Sequence, residues 1–125
     1  MMQGGEEILT DAKMLTEVAD KFVEMFDREV FDYVITSDAA GTVLGSIVAF
    51  RLKRGLVVPC SDAPAGRYVL LGYDMRDGKL VDKQLKKVKE KGGTVIKMGF
   101  FKEDSSLNLR KTMFRGIPVE TVNIL

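Results

Sequence analysis

Four short apolar runs rich in β-branched residues, 31–36, 56–59, 68–71 and 94–101, alternate along this chain with stretches whose apolar residues recur every three or four positions. Such alternation through short loops defines βαβ units, which wind as a largely parallel sheet with right-handed crossovers. The expected architecture is an α/β open doubly wound sheet, Rossmann-like, with about five strands near Tyr33, Val57, Leu70, Ile96 and Val122. Both faces of a parallel sheet must be covered, so Val34, Ile35, Ile47, Val58, Leu70, Leu71, Leu85, Val95 and Ile96 should form the core.

The intervening stretches place the helices. From Thr10 to Glu29, Met14, Leu15, Val18, Phe22, Met25 and Phe26 mark one face of an amphipathic helix with Thr10 as its N-cap. A second helix is expected from Thr42 to Lys53, with Val43, Ile47 and Phe50 inward and Gly55 ending it. A third, from Leu80 to Lys91, buries Leu80, Val81, Leu85 and Val88 while Lys83, Lys86, Lys87, Lys89 and Lys91 face out. A short helical turn over 107–114 and a strand from Val119 to Leu125 close the chain. Residues 1–30 read as an N-terminal segment carrying one helix, and 31–125 as the core of a single domain.

Composition then limits the chemistry. The 125 residues contain no histidine and one cysteine, Cys60, which removes an imidazole base, a Ser-His-Asp triad, any His-bearing zinc site and any intrachain disulfide. With 19 basic and 18 acidic residues, no global field draws the chain to nucleic acid or an anionic membrane. No secretory signal or spanning segment is visible, and the lone thiol fits a cytoplasmic protein, with Cys60 a small core or rim residue. The lysine-rich helix reads as a solvated face, not an RNA patch.

Ligands of open α/β sheets sit beyond the carboxyl ends of the strands. The loops to consider are therefore 37–41, 60–66, 73–79 and 102–106. Asp38, Asp62, Asp74 and Asp77 all follow strand ends, where they could together hold Mg²⁺ or ribose hydroxyls. Aspartate also suits turns and helix N-caps, the simpler reading for Asp38 and Asp62.

In order along the chain, these pieces resemble the type I phosphoribosyltransferases, the adenine branch in particular. The landmarks are Asp32-Tyr33-Val34-Ile35 running into a Gly-ended loop, Val57-Val58-Pro59, and Val69-Leu70-Leu71-Gly72-Tyr73-Asp74. Phe100-Phe101-Lys102-Glu103, Leu109-Arg110-Lys111 and Gly116-Ile117-Pro118-Val119 follow. The resemblance implies a dimeric transferase that moves ribose 5-phosphate from phosphoribosyl pyrophosphate to a purine with Mg²⁺. It implies ribose and phosphate contacts at Tyr73, Asp74, Arg76, Asp77, Gly78 and Lys79, and a pyrophosphate loop at Ser37, Asp38, Ala39, Ala40 and Gly41.

Against that pattern this chain departs at each working part. Tyr73 replaces the first of two ribose-binding acids. Asp77 adds negative charge where a glycine- and threonine-rich turn would offer amides to the 5-phosphate. Ala40 stands where the family's arginine grips pyrophosphate. Between the second and third strands, seven residues, Cys60 to Gly66, replace a long flap. The expected function is a phosphoribosyltransferase-like protein whose transfer chemistry has degenerated, binding a nucleotide or phosphoribosyl ligand. The alternatives are an active minimal purine phosphoribosyltransferase and a phosphate-accepting receiver domain. The receiver reading fits poorly, because the chain begins with a helix where a receiver has an acid-tipped strand.

Overall fold

Helix formation begins earlier than the apolar periodicity indicates. The computed structural model describes residues 6–75, 78–102 and 113–122. A short helix α1, Glu6–Thr10, precedes α2, Ala12–Phe26. The N-cap of α2 is Asp11, not Thr10: its carboxylate accepts from the amides of Lys13 and Met14, both at 3.1 Å. A carboxylate facing the positive end of the helix dipole satisfies two otherwise unpaired donors, and Thr10 is left to close α1. Val18, Ala19, Phe22, Met25 and Phe26 form the buried stripe of α2.

The remaining elements are β1 Tyr33–Thr36, α3 Ala39–Leu52, β2 Gly55–Val57, β3 Arg67–Asp74, α4 Lys79–Glu90, β4 Thr94–Lys102, β5 Met113–Phe114 and β6 Ile117–Thr121. They make an open six-stranded sheet of order β2-β1-β3-β4-β6-β5. All pairings are parallel except β5 with β6. The antiparallel edge corrects the helical turn expected over 107–114, of which 107–112 lie outside the described residues. Arg115 and Gly116 both have positive φ, 54° and 77°, the two-residue turn geometry that reverses a strand onto its neighbour. The strand expected from Val119 to Leu125 begins at Ile117 and ends at Thr121, with 123–125 outside the described residues.

Alternation along the strands divides the core into two layers. Val34, Val69, Leu71 and Tyr73 pack with α2 and α3. Ile35, Leu70, Met98 and Phe100 pack with Val81 and Val88 of α4 and with Ala63 of the β2–β3 connection. Of the expected core, Val34, Ile35, Leu70, Leu71 and Val95 are buried, whereas Ile47, Val58, Leu85 and Ile96 are half-buried.

The register of α3 differs from the expected one. It starts at Ala39, ends with Lys53 in the left-handed region (φ 57°), and buries Ala40, Gly41, Leu44, Gly45, Val48 and Ala49. Val43 and Phe50 face outward, Phe50 with 85% of its surface exposed. The reason is the closeness of the helix to the sheet. A Cβ on Gly41 would lie 2.8 Å from Gly72 Cα, and one on Gly45 would lie 2.5 Å from Thr36 Cγ2. Only the glycine face of α3 can lie this near, so the bulkier stripe is turned away.

On α4, Leu80 is 48% exposed, and Gln84 joins Val81 and Val88 on the buried side. Lys87, expected in solvent, turns inward, where its Nζ donates to the carbonyls of Val58, Pro59 and Ser61. Cys60, read from the sequence as core or rim, is exposed on this connection.

Candidate functional site

At the carboxyl end of the sheet, β1 stops pairing with β3 at the Thr36–Leu71 register, one residue before Ser37. From there the chain turns into α3, and the side chain of Asp38 takes over as acceptor for both neighbours. Its Oδ1 accepts from Gly41 N at 2.6 Å, the N-cap of α3. Its two oxygens also accept from Tyr73 N at 3.1 and 3.0 Å, and Oδ2 from Asp74 N at 3.3 Å. One carboxylate thus ties the loop after β1 to the last residues of β3, bringing together the two segments that the sequence marks as candidates. Its lone pairs are committed to main-chain donors, which suits it to positioning more than to metal binding.

Tyr73 does not face the mouth with its ring. The side chain is 3% exposed and stacks on Phe101 at 5.2 Å between centroids, within the α2/α3 layer. Alternation sends 69, 71 and 73 to one face, and the other face receives 70, 72 and Asp74. Asp74 is half-buried and is paired in register with Lys102 of β4. Ala40 is also in the core, at 6% exposure, while Ala39 beside it is exposed. An arginine at 40 would have to enter the apolar layer.

The chain leaves β3 through a tight turn in which Gly78 N donates to Met75 O at 2.9 Å. Arg76 and Asp77 lie outside the described residues. Gly78 has φ 80° and is the N-cap of α4, with no side-chain cap hydrogen bond. The first-turn amides of a helix carry partial positive charge, and Gly78 itself is buried with the Phe114 ring against it. Lys79 begins the helix, exposed, and Asp82 occupies its first turn. That acid would oppose an anion, but the Arg115 guanidinium grips it in a forked pair at 3.1 and 3.0 Å. The pairing raises the Arg115 pKa above its ordinary value, chiefly through the hydrogen bond to Asp82.

Beside Gly72, the hydroxyl of Ser37 is buried with no hydrogen-bond partner among the described residues. Oδ1 of Asp38 and this hydroxyl come from adjacent residues, yet only the carboxylate is satisfied by the protein.

The four aspartates do not converge. Asp38 is held by amides, Asp62 sits on the β2–β3 connection, and no group of three acids suited to a metal ion occurs among the described residues. A magnesium ion at this mouth would have to take most of its oxygens from a phosphorylated ligand and from water, as small hard cations commonly do. No helix among the described residues is long and apolar enough to cross a membrane.

A groove of about 620 Å³ opens elsewhere, between α4 and the strands β4 and β6. Leu85, Val88, Val95 and Ile117 form its floor, with Lys86, Lys89, Arg115 and Asp82 at its rim. Asp82 and Arg115 are shared between this groove and the start of α4. Arg115, Asp82 and the inward Lys87 are the residues that sequence reasoning missed. Only the spacing of 87 from Gln84, three positions on along the buried side of α4, could have marked the lysine in advance.

No protein-family model matches the chain. Its sequence is similar to two curated adenine phosphoribosyltransferases. That of Thermotoga maritima is 28% identical over an alignment 144 positions long, gaps included, covering 92% of this chain and 82% of the relative. That of Thermotoga neapolitana is 26% identical over 143, covering 92% and 84%. Among solved structures, the adenine phosphoribosyltransferase of Thermoanaerobacter pseudethanolicus superposes with a TM-score of 0.79 at 20% identity, covering 93% of this chain and 83% of that one. The orotate phosphoribosyltransferase of Aeropyrum pernix gives 0.76 at 21% identity, covering 92% and 73%.

Proposed function

We propose that the chain binds a nucleotide or phosphoribosyl ligand at its mouth but has lost phosphoribosyl transfer, a reading supported by its similarity to adenine phosphoribosyltransferases in sequence and in fold. The observation that carries this reading is the position of Tyr73: a buried phenol stands where the resembled family has the first acid of its pair, so Asp74 alone supplies a carboxylate there. Asp74 accepts ribose hydroxyls in this reading, while the start of α4 at Gly78 and Lys79 receives the phosphate.

Transfer requires more. A leaving pyrophosphate must be held by cations, and water must be kept from a developing oxocarbenium charge. Ala40 in the core provides no clamp, and the connection from β2 to β3 is short and pinned. Each lost charge-assisted donor costs about 3 kcal/mol of transition-state stabilisation, so several together lower turnover by orders of magnitude.

We further propose that the protein is a cytoplasmic homodimer, with the outward stripe Val43, Ile47 and Phe50 of α3 seated against a second copy. Support for this surface is its contiguous apolar side chains on one helix face, with Phe50 85% exposed. Sedimentation of the wild type as a dimer and of Phe50→Asp as a monomer is the expected pair of results.

Calorimetric titration with AMP and with phosphoribosyl pyrophosphate, each with Mg²⁺, tests the binding site. Both should bind, and Asp74→Ala should weaken both about tenfold, the value of one hydrogen bond to a charged group. Absence of binding by either ligand would remove the proposed site.

A further inference from the structure

The connection from β2 to β3 crosses from the carboxyl end of one strand to the amino end of another, with β1 lying between them in the sheet. Crossovers of this kind ordinarily contain a helix, whose own hydrogen bonds satisfy its backbone. Residues 58–66 form none. Their first part is instead a self-bonded turn, in which Ser61 N and Ser61 Oγ both donate to Val58 O at 3.0 Å and Val58 N donates to Ser61 Oγ at 3.2 Å. Closing the turn in this way directs three carbonyl oxygens toward one point. The ammonium of Lys87 stands there, 3.2 Å from Val58 O, 3.0 Å from Pro59 O and 2.7 Å from Ser61 O.

Three acceptors match the three protons of an ammonium group. A concave set of main-chain carbonyls is also the chemistry that replaces the hydration shell of a monovalent cation. We propose that the Val58–Ser61 turn is a monovalent-cation site made of main-chain carbonyls, filled by the tethered ammonium of Lys87, and able to take free ammonium or potassium ion when the tether is removed. This inference is independent of any nucleotide at the mouth. It assigns Lys87 a positioning role: the ion fixes the crossover as a rigid wall.

The surroundings agree with a cation held at some cost. Burial lowers the Lys87 pKa below its ordinary value, while Cys60 and Asp62 on the connection oppose the shift and Lys83, one turn earlier on α4, adds to it. The site therefore holds its cation by directed carbonyls more than by a neighbouring acid in contact, since no carboxylate lies within ion-pairing distance of this ammonium among the described residues.

The test is amide hydrogen exchange at Ser61, followed by NMR, in Lys87→Met and in wild type. Salts of potassium, ammonium and the bulky cation choline are compared at equal ionic strength. In choline, Lys87→Met should exchange about tenfold faster than wild type, the equivalent of one hydrogen bond to a charged group. Potassium or ammonium should restore most of that protection in the variant and leave the wild type unchanged. Lys87→Arg serves as a second variant: its planar fork cannot present three donors to one point, so it should be loosened and insensitive to the choice of cation. Exchange at Val69 in the central strand reports whether each variant is folded. Unchanged exchange at Ser61 in both variants would overturn the clamp, and loosening of Lys87→Met that potassium and ammonium leave unrepaired would overturn the cation site.

Discussion

Two crossovers of the same sheet do the same topological work by different physics. From β1 to β2 the chain uses α3, which lies so close that Gly41 and Gly45 leave no space for a Cβ. From β2 to β3 it uses an irregular segment held by donors from elsewhere, Lys87 Nζ on three carbonyls and Tyr68 Oη on Pro64 O at 2.5 Å. The first is fixed by shape and satisfies its own backbone. The second bonds to itself in the Val58–Ser61 turn and otherwise depends on two side chains reaching in from α4 and β3. The contrast teaches where this protein tolerates change: added volume should damage one crossover, and lost donors the other. It also bears on function, since the irregular segment stands where the resembled family carries its flap.

The largest effect is expected at the helical crossover. Gly41→Leu places a branched chain against Gly72 and the carbonyl of Leu71, where even one added carbon comes within 3.1 Å of backbone. Destabilisation of about 3 kcal/mol or more in urea unfolding is expected. A variant of near wild-type stability would mean that α3 is not held by close fit.

Next comes the tie between that helix and β3. Asp38→Ala removes the N-cap of α3 and the acceptor for the amides of Tyr73 and Asp74, an expected loss of about 2 kcal/mol. Exchange at the Tyr73 amide should rise along with the loss of global stability. Asp38→Asn, which keeps an acceptor oxygen, should recover part of both.

The smallest effect tests the irregular crossover. Tyr68→Phe removes the hydroxyl donor to Pro64 and should cost about 1 kcal/mol at neutral pH. Burial, with smaller contributions from Tyr33 and Asp32, pushes the Tyr68 pKa up to about 12 from 10.0. The unfolded chain releases this proton first, so the stability it provides is whole below pH 10 and is lost as pH rises toward 12. Tyr68→Phe should lack that alkaline decline. An identical decline in the variant would assign it to other groups.

How much of this was legible in the sequence follows the same division. The parallel strands were readable because β-branched runs covered on both faces have few other solutions. The mouth loops followed from topology, and Asp38 as a cap from its place before a helix. The face of α3 was not readable, because Val43, Ile47 and Phe50 form as good a stripe as Leu44 and Val48. What decides between them is clearance to the sheet, which only the glycines report. Lys87 was counted with its solvated neighbours because its acceptors lie 26 to 29 residues away and belong to backbone, which carries no sequence signature. Tyr73 was placed at the mouth by resemblance to an acid pair, whereas strand alternation, applied strictly from the buried Leu71, sends it to the core.

The central claim is that the fold has been kept while transfer has been lost, and single-turnover chemistry addresses it most directly. Protein in excess over labelled phosphoribosyl pyrophosphate, with adenine and Mg²⁺, should form no AMP above the protein-free blank, although the ligand binds. Steady conversion to AMP that disappears in Asp74→Ala would contradict this account, and would mean that Asp74 and the start of α4 suffice for catalysis.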